Sequence, residues 1–321
     1  MAKTTRLVKS FYRLILPVFI LLGAAIVAAS VWLAFTASNP PQAGYLVTPE
    51  KYGQFSARGA RVTDETWANR DGSQSRGWLL RGAENSPAVI LLHRYGADRS
   101  HVLDLGVKLN EATNFTVLMP DERGHGTNPA VKNTTFGGCE TDDALTAIEF
   151  LRGLKSENQV ALVGKNIGFY AVEMGALAAL SAAANDASVK AIALDSVPAA
   201  SDDILTSATD KRFPFVSSVT SKFAQLGTYL YFYDGCYKRN LACDTAKSIS
   251  NRQVLLLAGQ DAPDLQSSTA KLNRCFPADT KVEAKTDLSP SGYGITNASL
   301  EQSAAYEQRV IEFFKQTLSN E

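Results

Sequence analysis

Hydrophobic and polar positions follow two patterns along this chain. Near the N-terminus, an apolar run from Leu14 to Ala37 extends for 24 residues without a charged side chain, a length that spans a bilayer. Further on, short runs rich in Val, Ile, Leu and Ala alternate with segments in which apolar residues recur every three or four positions. That alternation is typical of parallel strands covered by helices on both faces of a sheet. The pattern therefore predicts one transmembrane helix followed by an α/β domain.

The same patterns predict individual elements. A first hairpin is expected where residues 60–68 and 75–82 flank an Asp-Gly pair, which favours a tight turn. Later strands are predicted at 88–93, 115–120, 159–164, 189–194, 253–259 and 281–286. Helices are predicted at 140–154, 170–184 and 299–318. In the last of these, Tyr306, Val310 and Phe314 form an apolar face that is suited to packing on the sheet.

The N-terminal apolar run admits two interpretations. Four basic residues precede it, so the positive-inside rule predicts a single-pass anchor with a cytoplasmic N-terminus and an extracytoplasmic main domain. A cleaved signal peptide is the alternative, but its apolar region usually has about 7–15 residues and ends at small side chains. Here Trp32 and Phe35 occupy those positions. The predicted organisation is a basic tail (1–13), a transmembrane helix (14–37), a Pro/Gly-rich linker (38–56) and one domain (57–321).

Residues 198–251 interrupt the strand–helix alternation. No strand is evident there, but aromatic side chains are concentrated between positions 213 and 237. This segment is interpreted as a lid over a pocket, or as a surface for a partner or the bilayer. The alternative is a set of helices that the aromatic residues pack together.

Composition excludes some functions. Lys+Arg and Asp+Glu both total 32, so no net charge attracts nucleic acid. Four cysteines fit an exported domain, in which Cys236 and Cys243 are close enough in sequence to form a disulfide while Cys139 and Cys275 have no obvious partners. Four reduced thiols are the alternative. No Cys/His cluster indicates a metal, and nothing in the sequence indicates a cofactor.

Loops after four predicted strands carry the most informative motifs. They read "LLHRYGADRSH", "MPDERGHGTN", "LVGKNIGFY" and "LLLAGQDAPD", and strand-end loops are where open parallel sheets place their chemistry. In this order, and over residues 57–321, they resemble the α/β-hydrolase superfamily, most closely its dienelactone-hydrolase-like and serine-aminopeptidase-like branch. The resemblance implies a doubly wound, mostly parallel eight-stranded sheet with a small helical lid.

The resemblance also implies roles for two of these loops. In the family, the first loop supplies an amide of the oxyanion hole, here within His93, Arg94 and Tyr95, with Arg94 in place of the usual glycine. The second loop retains the family's D-x-R-G-H-G motif at residues 121–126, where His125 is expected to have a structural role.

The catalytic positions depart from the family. The third loop resembles the nucleophile elbow, but Asn166 stands where the family has serine. Asp261 matches the triad acid, whereas the region after the last strand contains no histidine and has Tyr293 in the corresponding loop. All three histidines precede the predicted elbow. Loss of nucleophile or base costs a triad hydrolase roughly a million-fold in turnover.

These observations favour a membrane-anchored, catalytically degenerate protein of this family that binds a small apolar or carboxylate ligand, a lipid or a protein partner. His93, Arg94, Tyr95, Lys165 and Ile167 are expected to line the binding site. An active hydrolase of esters or peptides that uses unusual residues is the alternative. A third interpretation is an interaction domain whose pocket has collapsed.

Overall fold

A computed structural model describes residues 2–42, 44–52, 59–127, 129–233, 235–239 and 241–319. The end of the predicted linker and the start of the predicted domain, residues 53–58, lie outside this description. The chain forms two compact units. The helical unit comprises Met1–Ser38 and Leu205–Gly235, and the sheet unit comprises Asn39–Ile204 and Cys236–Glu321.

The sheet unit contains one eight-stranded sheet. Its strands are β1 (Val62–Ala68), β2 (Gln74–Leu80), β3 (Ser86–Leu92), β4 (Thr116–Asp121), β5 (Val163–Val172), β6 (Val189–Asp195), β7 (Gln253–Gly259) and β8 (Lys281–Leu288). The spatial order is β1-β2-β4-β3-β5-β6-β7-β8. The β1–β2 and β2–β4 pairs are antiparallel, and the other pairs are parallel. The predicted doubly wound, mostly parallel sheet is therefore confirmed.

The described part of the chain also contains ten α-helices. They are α1 (Ala2–Ser38), α2 (Pro49–Tyr52), α3 (Leu103–Thr113), α4 (Glu140–Gly153), α5 (Met174–Asn185), α6 (Ser201–Arg212), α7 (Ser217–Tyr231), α8 (Ala242–Ala246), α9 (Pro263–Leu272) and α10 (Leu300–Leu318). The predicted α4 and α10 are confirmed. Tyr306, Val310 and Phe314 of α10 join the buried core of the sheet, because they lie on one face at helical spacing. The predicted hairpin is β1–β2.

Two predicted boundaries around the fifth strand are wrong. The sequence pattern predicts the strand at 159–164 and the following helix at 170–184, whereas β5 runs from Val163 to Val172 and α5 begins at Met174. The residues from Ile167 to Val172 are all buried, and a fully buried strand has no alternation that would distinguish it from a buried helix. The Ala-rich sequence that follows therefore extended the predicted helix too far towards the N-terminus.

Among the described residues of the helical unit, one segment is long and apolar enough to cross a membrane. It runs from Ile15 to Ser38, with a mean hydropathy of 2.5, near the N-terminus. This is compatible with a single-pass anchor or with a signal sequence. Within the described residues of 198–251 the chain forms α6, α7, α8 and one 3₁₀ turn, and no strand.

Two disulfides join Cys139 to Cys236 and Cys243 to Cys275. The predicted Cys236–Cys243 pair is therefore wrong, as is the alternative of four reduced thiols. Cys139, the partner of Cys236, immediately precedes α4. Cys243 lies in α8, and its partner Cys275 follows α9. Tertiary packing therefore brings each cysteine close to a partner that is distant in the sequence. The Cα–Cα distances are 5.1 and 5.2 Å, which suit disulfide geometry.

Candidate functional site

The candidate site lies where the parallel strands end. The β3 loop begins at His93, the turn after β5 holds Glu173, and Asp195 ends β6. Asp261 follows β7, and Tyr293 lies in the 3₁₀ turn after β8. Because the carboxyl ends of parallel strands meet at one edge of the sheet, these loops converge, as ligand-binding loops do in open α/β sheets.

Glu173 occupies the strand-to-helix turn after β5. Its backbone has φ 49° and ψ −105°, a conformation that costs a non-glycine residue about 1–3 kcal/mol. Two positions later, a Cβ at Gly175 would stand 2.7 Å from Leu92 Cβ and 2.8 Å from the His93 carbonyl oxygen, so glycine permits the close approach of helix and strand. A strained turn followed by a glycine is the geometry of a nucleophile elbow, and the residue at its apex is Glu173.

The prediction that Asn166 occupies the elbow is wrong. Asn166 lies near the amino end of β5, seven residues before Glu173, which is about 23 Å along a strand. The two glycines that suggested an elbow have packing roles instead. A Cβ at Gly164 would meet the Asn85 carbonyl oxygen at 2.5 Å, and one at Gly168 would meet Phe314 Cε1 at 2.8 Å.

Two predicted binding residues are displaced together with Asn166. Lys165 is exposed at the amino end of β5, and Ile167 is buried within the strand. Neither lies at the carboxyl edge of the sheet, so their predicted place in the site is wrong. His93, Arg94 and Tyr95 do follow β3 at that edge.

The Glu173 carboxylate holds a backbone amide of the β3 loop. Its Oε2 accepts a hydrogen bond from Tyr95 N at 2.9 Å, and the residue is only 3% exposed. In α/β hydrolases an N–H of this loop belongs to the oxyanion hole, which must receive the negative oxygen of a tetrahedral intermediate. Here the Glu173 side chain occupies the Tyr95 N–H, which lies in the corresponding loop.

His93 and His125 are buried, and their ring nitrogens are engaged by the backbone. His93 Nε2 accepts from Glu122 N at 3.1 Å and its Nδ1 lies 2.9 Å from the Arg94 carbonyl oxygen. His125 Nε2 accepts from Gly96 N at 3.0 Å and its Nδ1 lies 2.7 Å from the Arg123 carbonyl oxygen. These contacts define neutral rings with the proton on Nδ1. Both histidines fix loops in this arrangement, and neither presents an open nitrogen to a substrate.

Burial keeps both rings uncharged at neutral pH. Desolvation, with repulsion from His125 added, lowers the pKa of His93 to about 3. Desolvation likewise lowers the pKa of His125 to about 4, although the backbone contact with Arg123 opposes the shift. The third histidine, His101, lies with Nδ1 3.4 Å from Asp98 Oδ1 at the start of the turn that leads into α3.

The loop after β8 is folded inward against two carboxylates. Asp261 accepts hydrogen bonds from the Ser291 backbone N at 3.0 Å and from its Oγ at 2.9 Å. Asp195 accepts from Gly292 N at 2.9 Å and from the Tyr306 hydroxyl at 2.7 Å. The family resemblance implies a histidine in this loop. In this chain, Ser291 and Gly292 of the loop donate hydrogen bonds to the two carboxylates instead.

The side chains of Arg94 and Tyr293 pack against each other between the loops that follow β3 and β8. The Arg94 guanidinium lies over the Tyr293 ring with 5.0 Å from Cζ to the ring centroid, a favourable cation–π geometry. The cavity lined by these residues, His93 and Tyr170 measures about 20 Å³, which holds about one water molecule. Tyr293 does lie in the loop that the sequence assigned to it, and it packs with Arg94 there.

A wider groove lies beside the D-x-R-G-H-G motif. It measures about 160 Å³, opens to solvent and is lined by polar side chains that include Arg76, Glu122, Arg123 and Asp143. Glu122 is buried, and neither of its carboxylate oxygens has a hydrogen-bond partner among the described residues. Burial, together with the carboxylates of Glu140, Asp143 and Glu173, raises the pKa of Glu122 well above its usual value.

Glu122→Gln is expected to stabilise the protein at pH 8. Because the folded state holds the Glu122 proton more tightly than the unfolded chain, wild-type stability falls as pH rises from about 4.3 towards the raised folded pKa. The neutral amide removes this loss, and the expected gain is about 1–3 kcal/mol at pH 8 and none near pH 4. Urea unfolding at the two pH values measures it.

Glu140→Gln is the matched control for Glu122→Gln. The Glu140 carboxylate accepts hydrogen bonds from the Thr135 and Gly137 backbone amides at 2.8 and 3.0 Å and from the Thr134 hydroxyl at 2.6 Å. Removing its charge should therefore destabilise the protein at pH 8. A loss of stability in both variants would contradict the account of Glu122 as a buried acid with a raised pKa whose oxygens lack hydrogen-bond partners among the described residues.

Sequence reasoning missed Glu173 and Glu122. A usable signal was present for the first, because "IGFYAV" is an apolar run of strand length followed by Glu173, Met174 and Gly175 and then by an Ala-rich helix. This reproduces the small-x-nucleophile-x-Gly spacing with Ala171 in the first place. Nothing in the sequence around Glu122 distinguishes it from a solvated carboxylate.

The sheet order, the elbow after β5 and the loops that follow β3, β7 and β8 define an α/β-hydrolase fold. Solved structures with the same fold include the Pyrococcus furiosus esterase Pf2001, with a TM-score of 0.62 and 21% identity over 88% of this chain and 98% of that one. The dienelactone hydrolase of Anabaena variabilis gives a TM-score of 0.56 and 12% identity over 81% of this chain and 99% of its own. The α/β hydrolase GrgF of Penicillium gives a TM-score of 0.59 and 15% identity over 81% and 99%.

Sequence comparisons are weaker than these structural ones. No protein-family model matches the chain. A thiohydrolase, aneE of Aspergillus aculeatus, is 26% identical over 123 residues, which are 38% of this chain and 37% of that protein. The match thus covers little more than a third of that relative. The predicted α/β-hydrolase resemblance is confirmed by the fold.

Proposed function

We propose that this chain is a membrane-anchored α/β-hydrolase-fold protein in which serine-hydrolase chemistry does not operate, and that it acts by binding a ligand or a partner. The observation that carries the proposal is the 2.9 Å hydrogen bond from Tyr95 N to the Glu173 carboxylate. This contact puts a carboxylate at the elbow apex and also occupies a donor that an acyl-transfer reaction needs.

The surroundings of Glu173 support the same proposal. A triad needs a histidine between nucleophile and acid, yet Asp261 is hydrogen-bonded to Ser291. The buried rings of His93 and His125 are neutral and bonded to the backbone. Among the described residues, neither histidine is therefore placed to act as the general base that a triad or an attacking water molecule at the elbow would need.

The apolar helix and the disulfides support a location at a membrane with the main domain outside the cytoplasm. Basic residues precede the Ile15–Ser38 span, and positive residues tend to stay on the cytoplasmic side. All four cysteines are paired in disulfides, which persist in oxidising compartments.

The ligand classes that fit the proposal are a small apolar molecule, a carboxylate, a lipid or a protein partner. A ligand carboxylate that reached Tyr95 N would have to displace Glu173, and one that reached Arg94 would have to compete with Tyr293. The cavity at this place measures only about 20 Å³, which is too small for a ligand to enter. A partner that binds on the surface of the loops therefore fits the site better than a ligand bound inside it.

One observation favours a second function. A carboxylate held on a strained elbow is a nucleophile in principle, and the similar proteins named above are an esterase, a dienelactone hydrolase and a thiohydrolase. An active hydrolase of esters that uses Glu173 as its nucleophile is the alternative. It would still need a group to activate water.

Ester turnover distinguishes the two functions. We expect the purified full-length chain in detergent micelles to hydrolyse p-nitrophenyl acetate no faster than buffer, and the same from Glu173→Gln and Asn166→Ala. Hydrolysis by the wild type that Glu173→Gln abolishes and Asn166→Ala leaves intact would establish the alternative function and overturn the proposal.

A further inference from the structure

Several exposed apolar side chains of the helical unit lie in α7 or directly beside it. Within α7, Val219, Leu226 and Leu230 stand at positions i, i+7 and i+11, on one helix face, and each is at least half exposed. Phe215, in the 3₁₀ turn before α7, is 99% exposed, and Tyr233, just after it, is 88% exposed. Soluble proteins rarely leave such a continuous apolar patch uncovered.

The opposite face of α7 packs on the C-terminal end of α1. A Cβ at Gly227 would collide with the Ser30 carbonyl oxygen, so the two helices approach at a small residue, as helices in membranes commonly do. Phe35 and Tyr231 rings meet edge to face at 5.9 Å. Leu33, Ala34 and Ala37 of α1 are buried in consequence, whereas Leu21 and other side chains earlier in α1 are exposed.

This packing fixes the depth of α7 once α1 spans a bilayer. The 24-residue span from Ile15 to Ser38 is about 36 Å long, and the hydrocarbon core is about 30 Å thick. Ser30 lies about two-thirds of the way along the span, counted from its N-terminal end. A helix in contact with Ser30 therefore lies within the leaflet on the C-terminal side of the span. The face of α7 that points away from α1 then meets lipid.

The composition of the unit agrees with that depth. α7 carries a single charged residue, Lys222, and no acidic one. Trp32, Tyr229 and Tyr233 are all more than half exposed, and Trp and Tyr are enriched at the boundary between hydrocarbon and headgroups. A helix with an apolar face, a lysine at its flank and aromatic ends is typical of a segment that lies in the membrane interface.

We propose that α7 and the adjoining residues Phe215 and Tyr233 are embedded in the lipid bilayer beside α1. The membrane attachment is then a helical pair in which α7 buries one face on α1 and the other in acyl chains. This inference rests on the proposed anchor, because α7 reaches the bilayer through its contact with α1.

Lipid quenching of a site-specific fluorophore tests the inference. Since the native cysteines are all in disulfides, a single added cysteine can be labelled with NBD at Val219→Cys or Leu230→Cys. The full chain is placed in phosphatidylcholine nanodiscs with and without doxyl-labelled phosphatidylcholine. Labels at both positions are expected to lose most of their emission to the doxyl lipid.

Two further labels separate the possible outcomes. Leu21→Cys, on an exposed α1 residue, reports the anchor, and Leu300→Cys, on a leucine of the sheet unit that is 91% exposed, controls for exposed apolar positions. Quenching at 21, 219 and 230 but not at 300 is the expected result. Quenching at 21 alone would overturn the embedded α7 and leave the anchor standing, whereas no quenching at 21 would overturn the anchor and the inference together.

Discussion

Arg99→Met is expected to lower the free energy of unfolding by about 3–5 kcal/mol at pH 7, since it leaves a buried carboxylate without its cation. Arg99 is fully buried, with Nη1 2.8 Å from Asp64 Oδ1 and Nε 3.2 Å from Asp121 Oδ2. Its guanidinium packs against two neighbouring rings, at 4.4 Å from the Trp78 centroid and 5.0 Å from that of Tyr45. Asp121 is the less accessible of the two partners, because its side chain is only 9% exposed, whereas that of Asp64 is 41% exposed.

The pH dependence of that loss follows from Asp121. Burial already raises the pKa of Asp121, and the charge of Arg99 opposes the shift. Without Arg99 the folded-state pKa rises further, so the variant loses stability as pH rises from about 3.9 through that value. Urea unfolding should therefore show a large difference from wild type at pH 7 and a smaller one at pH 4.

Arg76→Met is the matched control for Arg99→Met. Arg76 also pairs with Asp64, but both side chains are more than two-fifths exposed, and an exposed ion pair contributes about 0–1 kcal/mol. The double variant Arg99→Met/Asp121→Asn should recover part of the loss, because it removes the stranded charge. Equal losses for Arg99→Met and Arg76→Met, or a loss that does not depend on pH, would contradict the assigned role of Arg99.

Replacing Cys139 and Cys236 together by alanine is expected to cost about 2–5 kcal/mol. This disulfide joins residues 97 apart in sequence, and the stabilisation by a cross-link grows with the length of chain that it closes in the unfolded state. It also holds the start of α4 to the segment around Tyr237, whose ring lies 6.0 Å from Phe136. Thermal and urea unfolding of the variant measure the loss.

The second disulfide provides an internal comparison. Cys243 and Cys275 are 32 residues apart, and the chain-entropy account predicts that removing this shorter cross-link costs about 1 kcal/mol less. A larger loss for the Cys243/Cys275 pair than for the Cys139/Cys236 pair would show that native-state contacts, and not loop closure, determine the contribution of each bond.

The fold was predictable because its main signals are local. Dense apolar runs predict the buried strands, and the Asp-Gly turn predicts the first hairpin. The helix α10 is predicted by the helical spacing of Tyr306, Val310 and Phe314. Each of these depends on residues that are neighbours in the sequence or lie one or two helical turns apart. The order of motifs in the strand-end loops then indicated the α/β-hydrolase fold.

The site was less predictable because its features depend on distant contacts. Two glycines suggested an elbow at Asn166, although Gly168 is small because Phe314 of α10 packs on it. The role assigned to the elbow residue, Glu173, depends on its hydrogen bond with Tyr95 N, which lies 78 positions away in the sequence. The disulfide partners of Cys236 and Cys243 likewise come from other parts of the fold, so proximity in sequence selected the wrong pair.

The most direct test of the central claim is intact-protein mass spectrometry of the full-length chain after incubation with a fluorophosphonate, which phosphonylates an activated serine. A serine esterase of the same fold serves as the positive control. With Glu173 at the elbow and its carboxylate on Tyr95 N, the wild type and Asn166→Ser are both predicted to remain at their unmodified masses. A stoichiometric phosphonyl adduct on the wild type would show an activated nucleophile that this account does not contain, and would contradict it.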